Sequence, residues 1–393
     1  MKAKALIFRI IICLIILFSP VCFMKGDEPN GKSWSKEIAK TFMARYPDPM
    51  DFPLGSWCYP QGYMLLGIEK LWESTGDKKY YNYIMKFVDN AVNSSGYVKL
   101  FNGNSLDNIM AGATVVWAYK QTGLEKYKKA AEQIRKSFDG YPRTSDSIFW
   151  HGRTLKGEVW IDGSFMGQMF LTKYGKYVAD SAYCFREAAR QLIGMHNHLK
   201  KAGTGLMYHA WDEDRDAPWA DKNTGLSPEV WSEGLGWYAL TIVETLDIYP
   251  KNNPWRAELE TIDRELMKSL KNYQDPKTGL WFDIVDKGDL PDNFNDPSGS
   301  AMFLYAIKKS IELGLIGADE YAGVVNKAYN GLITKAKLSQ QDGMVDIIDG
   351  CEGVCVQDSY HNYVDYKKKV NAKETITGFL WGTWIVEKSK NQK

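Results

Sequence analysis

One short turn sequence recurs along the chain and limits the possible folds more than any other feature. Thr75-Gly-Asp-Lys-Lys-Tyr80 returns as Thr122-Gly-Leu-Glu-Lys-Tyr127, and Tyr174-Gly-Lys-Tyr177 repeats its core one helix pair later. In each case the glycine closes a helical pattern, and the next helix opens within about three residues. Self-similarity at about 50 residues marks an array of helix pairs.

Extending this reading predicts helices over 34–45, 57–74, 78–92, 105–121, 125–138, 162–174, 177–200, 229–248, 254–272, 297–313, 318–335 and 372–388. These twelve segments form six consecutive hairpins, which close into a toroid. The fold class is therefore all-α, an (α/α)6 barrel, with residues 25–393 as one domain. The even-numbered helices are the more apolar and glycine-rich, so they form the inner ring. The long connections 139–161, 201–228, 273–296 and 336–371 all precede inner helices, which gathers the functional loops at one mouth.

Composition supports a large core: 45% of the 393 residues are hydrophobic and 13% aromatic. Residues 1–24 have the layout of a secretory signal peptide, with Lys2, Lys4 and Arg9 ahead of the apolar run from Ile10 to Phe18. The segment is too short for a comfortable membrane span, so the mature chain is expected to be exported, periplasmic or extracellular, with no transmembrane span. Ser19-Pro20-Val21 makes a poor lipobox, and a lipid anchor on Cys22 is the lesser alternative. Removing residues 1–22 takes three basic groups from 49 and leaves 46 against 48 acidic ones, so nothing steers the protein to nucleic acid. Cys58, Cys184, Cys351 and Cys355 remain, and an oxidising compartment would allow a Cys351–Cys355 disulfide.

The starts of the even helices read Trp57-Cys-Tyr59, Ser105-Leu-Asp-Asn108, Trp160-Ile-Asp162, Trp231-Ser-Glu-Gly-Leu-Gly-Trp237 and Asp296-Pro-Ser298. Aromatic rings and carboxylates converging on one mouth suit carbohydrate, whose C–H faces pack on rings and whose hydroxyls need fixed acceptors. Asp162 has a plain alternative role as a helix N-cap, and so has Asp107. As neighbours at the mouth, the two acids could instead raise each other's pKa, while the helix dipole favours the carboxylate. His209 lies in a long loop at the same face. No zinc-type cluster, P-loop or dinucleotide fingerprint is present, so no metal and no cofactor is implied.

Trp160-Ile-Asp-Gly-Ser-Phe-Met166, Gly205-Leu-Met-Tyr-His-Ala-Trp-Asp212 and Ser227-Pro-Glu-Val-Trp-Ser-Glu-Gly-Leu-Gly-Trp237 together resemble the unsaturated rhamnogalacturonyl hydrolases of glycoside hydrolase family 105. They are more distantly similar to the unsaturated glucuronyl hydrolases of family 88. The resemblance runs from about residue 35 to 390 and implies an (α/α)6 barrel. It implies Asp162 as general acid and base, Asp107 as its assistant and His209 as a third residue of the site. It places Tyr59, Asn108, His151, Trp160, Trp231 and Trp237 in the sugar pocket, with Tyr363 in the segment that closes it. One position departs: Glu233 stands where family members often have arginine. Either another cation holds the substrate carboxylate, with Arg153, Lys156 and Arg215 as candidates, or the leaving sugar differs.

The implied substrate is a lyase-generated acidic oligosaccharide, from rhamnogalacturonan, ulvan or a similar polymer, ending in a 4,5-unsaturated uronic acid. The implied reaction hydrates the C4=C5 bond. Two other classes stay open on sequence grounds: another enzyme on this barrel, a polysaccharide lyase or sugar epimerase, and a noncatalytic oligosaccharide-binding protein.

Overall fold

The repeat turns are built as their sequences demand. In the computed structural model, which describes residues 32–366 and 368–388, Gly76 and Gly123 take φ of 67° and 66° and close α2 (Tyr59–Thr75) and α5 (Gly112–Thr122). Only glycine enters that region without a Cβ penalty. The threonine before each glycine bonds back to a carbonyl one turn earlier, Thr75 Oγ1 to Leu71 at 2.6 Å and Thr122 Oγ1 to Ala118 at 2.7 Å. The following helices, α3 (Lys78–Ala91) and α6 (Glu125–Lys136), start at once.

The third copy behaves differently. Tyr174-Gly175 lies inside α7 (Gly163–Tyr177), and the turn falls at residues 178–180, where Asp180 takes φ 58° before α8 (Ser181–Leu199). Gly175 serves packing there, since a Cβ on it would meet Cys184 Cβ at 2.7 Å. The predicted helix over 105–121 also differs: it runs as α4 (Leu106–Met110) and then α5, with a tightened step at Ala111. Thr114 takes up the Ala111 carbonyl with both its N–H, at 3.1 Å, and its hydroxyl, at 2.7 Å.

The remaining helices are α1 (Trp34–Arg45), α9 (Ser232–Ile248), α10 (Arg256–Tyr273), α11 (Pro297–Glu312), α12 (Ala318–Ile333), a short α13 (Tyr360–Val364) and α14 (Lys373–Glu387). The inner ring is α2, α4–α5, α7, α9, α11 and α14, each packed on the next, and α14 closes it against α2. Inner helices are buried nearly all round, whereas α3 or α6 buries one face, as an outer ring requires. This is the (α/α)6 barrel. Close approach within the ring needs small residues: a Cβ at Gly299 of α11 would lie 2.7 Å from the Ser232 backbone of α9.

All inner helices start at one end, so their N-termini surround one mouth. Toward their C-terminal ends the barrel interior holds ion pairs, Lys173 with Glu69 at 3.0 Å and Lys70 with Glu244 at 3.1 Å. The long loops carry four two-stranded antiparallel ribbons: β1 (Glu158–Trp160) with β4 (Ala210–Asp212), β2 (Lys200–Lys201) with β3 (Leu206–Met207), β5 (Trp281–Phe282) with β6 (Asn295–Asp296), and β7 (Ala336–Leu338) with β8 (Val345–Ile347). The β1–β4 pairing sets Trp160 opposite Ala210 and thereby brings Asp162 beside His209. The described residues from Ser33 on form one compact unit. The signal peptide reading, residues 1–24 with Cys13 and Cys22, lies outside the described residues. No helix among the described residues is long and apolar enough to cross a membrane.

Candidate active site

Asp162 does not cap its helix. It already has helical dihedrals (φ −53°, ψ −38°), and its side chain makes no bond to the first amides of α7. Its Oδ2 instead lies 3.1 Å from His209 Nε2. Asp296, by contrast, is spent as an N-cap, accepting from the Ser298 and Gly299 amides at 2.9 and 2.8 Å.

His209 is buried and held from both sides. Its Nδ1 lies 2.7 Å from the hydroxyl of Tyr363, which also accepts the Gln357 amide at 3.2 Å. Burial pushes the Tyr363 phenol well above its ordinary pKa, so it keeps its hydrogen. A buried hydroxyl hydrogen needs an acceptor, and Nδ1 is the acceptor in reach. Tyr363 therefore donates to Nδ1, and His209 Nε2–H donates to Asp162 Oδ2. The ring also packs against Trp231 with centroids 4.6 Å apart.

Asp107 has an imidazole of its own. It sits in the first turn of α4, where Ser105 takes the cap, accepting the Asn108 amide at 3.3 Å. Its Oδ1 lies 3.4 Å from His151 Nε2, and the His151 ring stacks on Trp160 with centroids 4.4 Å apart. Burial opposes charge on His151, yet the carboxylates of Asp107, Asp162 and Glu158 outweigh it and raise its pKa. The two acids thus converge around His151, each bonded to an imidazole. Glu158, which accepts Trp160 Nε1–H at 2.9 Å, is itself raised by burial and by Asp212.

A second acidic group forms the adjoining wall. Tyr59 donates to Glu374 Oε1 at 2.5 Å, and the Gly353 amide donates to Oε2 at 3.1 Å. Glu233 accepts from Ser298 Oγ at 2.8 Å. Burial first, then Glu374 and Asp296, push the Glu233 pKa well above its ordinary value. Trp237 is fully buried deeper in α9, packed by Tyr63, Phe165 and Tyr59 at 4.7, 4.8 and 6.1 Å.

The fold and this constellation have counterparts among known proteins. Residues 34–383 match Glycosyl Hydrolase Family 88. The chain belongs to this family. It is 31% identical to a family 105 glycoside hydrolase of C. acetobutylicum ATCC 824, whose structure superposes with a TM-score of 0.85 over 91% of this chain and 99% of that one. It is 26% identical to the unsaturated rhamnogalacturonyl hydrolase YesR of Bacillus subtilis, over 81% of this chain and 86% of the relative. It is 21% identical to an unsaturated 3S-rhamnoglycuronyl hydrolase of Formosa agariphila, over 90% and 94% of the two chains. The protein is accordingly a glycosidase on the family's helical barrel.

Within this family 88 chain, the structure brings Asp162, His209, Tyr363, Trp231, Trp160, His151 and Asp107 into one connected group. Tyr59 stands in the neighbouring wall, whereas Trp237, expected in the sugar pocket, is buried behind it among Tyr63 and Phe165 and packs the barrel interior. The Asn108 oxygen is spent on the backbone: Oδ1 accepts the Asn102 and Gly103 amides at 2.9 and 3.0 Å, and Nδ2 faces the Trp57 carbonyl at 3.4 Å. It fixes the loop before α4.

None of the three sequence candidates for the anion-binding cation is poised for the task. Arg153 gives its guanidinium to the carbonyls of Gly103, Gly140 and Ser137, Lys156 pairs with Asp214 at 2.6 Å, and Arg215 is exposed on its loop. Cys351 and Cys355 are unpaired: Cys351 is buried beside Trp231 and Tyr363, while Cys355 is exposed. Glu374, Lys373 and Glu158 carry no role in the sequence reading, whereas Ser298 stands in the Asp296-Pro-Ser298 helix start. The first two open the sixth inner helix, so the rule that reads inner-helix starts also reaches them.

Proposed function

We infer that the protein removes a 4,5-unsaturated uronic acid from the non-reducing end of lyase-generated acidic oligosaccharides by hydrating the C4=C5 bond. The observation that carries this reading is the Asp162–His209–Tyr363 chain, with the activities of the named family relatives as support. The C4=C5 bond is an enol ether, so protonation at C4 places positive charge on C5 and the ring oxygen. Asp162 in its acid form delivers that proton from Oδ1, because Oδ2 is engaged by His209 Nε2–H. The resulting carboxylate takes a proton from water as its oxygen bonds to C5. The hemiketal then opens at the C5–ring oxygen bond, and the hemiacetal left at C1 expels the neighbouring sugar.

His209 donates Nε2–H to the Asp162 carboxylate that forms and stabilises it. Asp107 and His151 hold sugar hydroxyls and Trp160 offers a face to the ring, while Trp231 is buried behind His209 and acts by packing it. This differs from ordinary glycosidases, in which two carboxyls flank the anomeric carbon. We place the reaction outside the cytoplasm, a reading supported by the leader-like residues 1–24 and tested by cell fractionation with N-terminal sequencing of the mature protein.

The test mixes purified protein with lyase digests of rhamnogalacturonan, ulvan and other acidic polysaccharides. Loss of the unsaturated-uronate absorbance in one digest is the expected result. Growth of that absorbance on intact polymer would mean a lyase, and tight binding without turnover would mean a binding protein.

A further inference from the structure

Trp219 has no part in the chain from Asp162 to Tyr363, yet it stands at the same mouth. It is half-buried in the loop after β4 and turns its indole N–H to Glu158, the carboxylate that also accepts Trp160 Nε1–H at 2.9 Å. One carboxylate thus ties two indoles together. Trp160 is the inner one: it stacks on His151 and meets His209 edge-on, while Trp219 touches neither ring. Trp160 of β1 and Trp211 of β4 each give a face to an imidazole, with centroids 4.4 Å from His151 and 3.9 Å from His198. Among the described residues the Trp219 ring has no aromatic or cationic partner. An indole anchored by its edge, with a face left over, suits the C–H face of a pyranose.

The loop holds this ring still. Asp212, opposite Glu158 in the β1–β4 ribbon, accepts the Asp214 amide at 3.2 Å and the Asp216 and Ala217 amides at 2.8 and 2.9 Å. Beyond Trp219, the Ala220 amide bonds to the Ala217 carbonyl at 3.1 Å, and Asp221 accepts the Asn223 and Thr224 amides at 3.0 and 2.8 Å. A ring pinned on both sides binds with little further ordering cost.

Charge selects the kind of sugar. The loop and its ribbon carry Glu158, Asp212, Asp214 and Asp216. Lys156 is paired with Asp214 at 2.6 Å, and Lys222 gives its ammonium to the Arg215 and Ala217 carbonyls at 3.0 and 3.3 Å, which leaves Arg215 exposed. A carboxylate has about four acceptor sites, so Glu158 keeps room for a sugar hydroxyl beside its two indoles. A sulfate or second carboxylate at that place would be repelled.

We propose that Trp219 and Glu158 form the subsite for the leaving sugar, the ring attached directly to the unsaturated uronate, and that this ring is a neutral pyranose. The proposal rests on the reaction read above and specifies its substrate class: with the uronate beside Asp162 and Trp160, the next ring falls on Trp219.

The experiment is calorimetric titration into Asp162→Asn, with and without Trp219→Ala. The ligands are an unsaturated uronate joined to a neutral sugar, the same disaccharide sulfated on that sugar, and the methyl glycoside of the uronate, which lacks the second ring. Trp219→Ala should weaken the neutral disaccharide about tenfold and leave the methyl glycoside unchanged, and Trp219→Phe should keep most of the affinity. The sulfated disaccharide should bind more weakly than the neutral one, and Glu158→Gln, which retains an acceptor for the indoles, should narrow that gap. Trp219→Leu, which keeps apolar volume without a ring face, replaces the alanine variant if that one fails to fold. Equal weakening of disaccharide and methyl glycoside, no change in either, or tighter binding of the sulfated sugar overturns the proposal. Failure of the function reading looks different: the wild-type protein then binds these ligands without consuming any of them.

Discussion

Tyr363→Phe removes a single oxygen from the interior, and the structure fixes what that oxygen does. It accepts the Gln357 amide at 3.2 Å and donates to His209 Nδ1 at 2.7 Å. The His209 side chain is fully buried, so no solvent replaces the lost donor. Leaving a buried acceptor unpaired costs about 1–3 kcal/mol. The same energy is the bias that holds His209 in the tautomer with its proton on Nε2, facing Asp162. Losing it releases the ring to the other tautomer, which turns a lone pair toward the catalytic carboxyl. A bias of about 1.4–2.8 kcal/mol corresponds to a loss of about 10- to 100-fold in kcat. The assay is steady-state loss of the unsaturated-uronate absorbance by the wild type and by Tyr363→Phe, with denaturant unfolding of both. A kcat within about twofold of wild type, alongside the expected loss of stability, would refute the tautomer argument and leave Tyr363 a packing residue.

Asp263 is a second buried acid, between α10 and α11, with one oxygen bonded to Ser310 at 3.0 Å and the other without a partner. Burial raises its pKa from 3.8 to about 7. A raised folded-state pKa stabilises the protein below the unfolded value, and that stability is lost as pH rises toward 7. The total is about 4 kcal/mol, of which about 3 kcal/mol falls between pH 5 and 8. Unfolding of wild type and Asp263→Asn across that range should diverge accordingly, and parallel profiles would contradict the assignment. Gly299→Ala drives a methyl into the Ser232 backbone and should destabilise the barrel by about 1–3 kcal/mol. An unchanged melting temperature would show that α9 and α11 can part without cost.

Much of this architecture is legible in the chain because its signals are local. Gly76 and Gly123 each end a helix through a positive φ, and a repeated turn is enough to count hairpins and assign inner and outer rings. Tyr174-Gly175 shows the limit of that reasoning: this glycine lies within the last turn of α7, since it answers to Cys184 across the hairpin rather than to a turn. The site divides in the same way. Asp162 and His209 lie in recognisable motifs, but only the β1–β4 ribbon shows that the carboxyl turns to the imidazole instead of to its own helix. Asn108 has the right type and place for sugar binding, yet two backbone amides already occupy its oxygen. Arg153 likewise satisfies three carbonyls, a demand set by loop geometry. Lys373 and Glu374 belong to no motif, and only their place at an inner-helix start marks them in the sequence; the partners of Glu374, Tyr59 and Gly353, come from distant segments.

The central claim is that Asp162 supplies and then removes the proton in hydration of an unsaturated uronate. The direct measurement follows the unsaturated-uronate absorbance in a panel of lyase digests with wild-type protein and with Asp162→Asn, whose folding is verified by its melting temperature. The account predicts that the wild type abolishes the absorbance of one digest while folded Asp162→Asn leaves it intact. Turnover by folded Asp162→Asn at a rate near that of the wild type would contradict it.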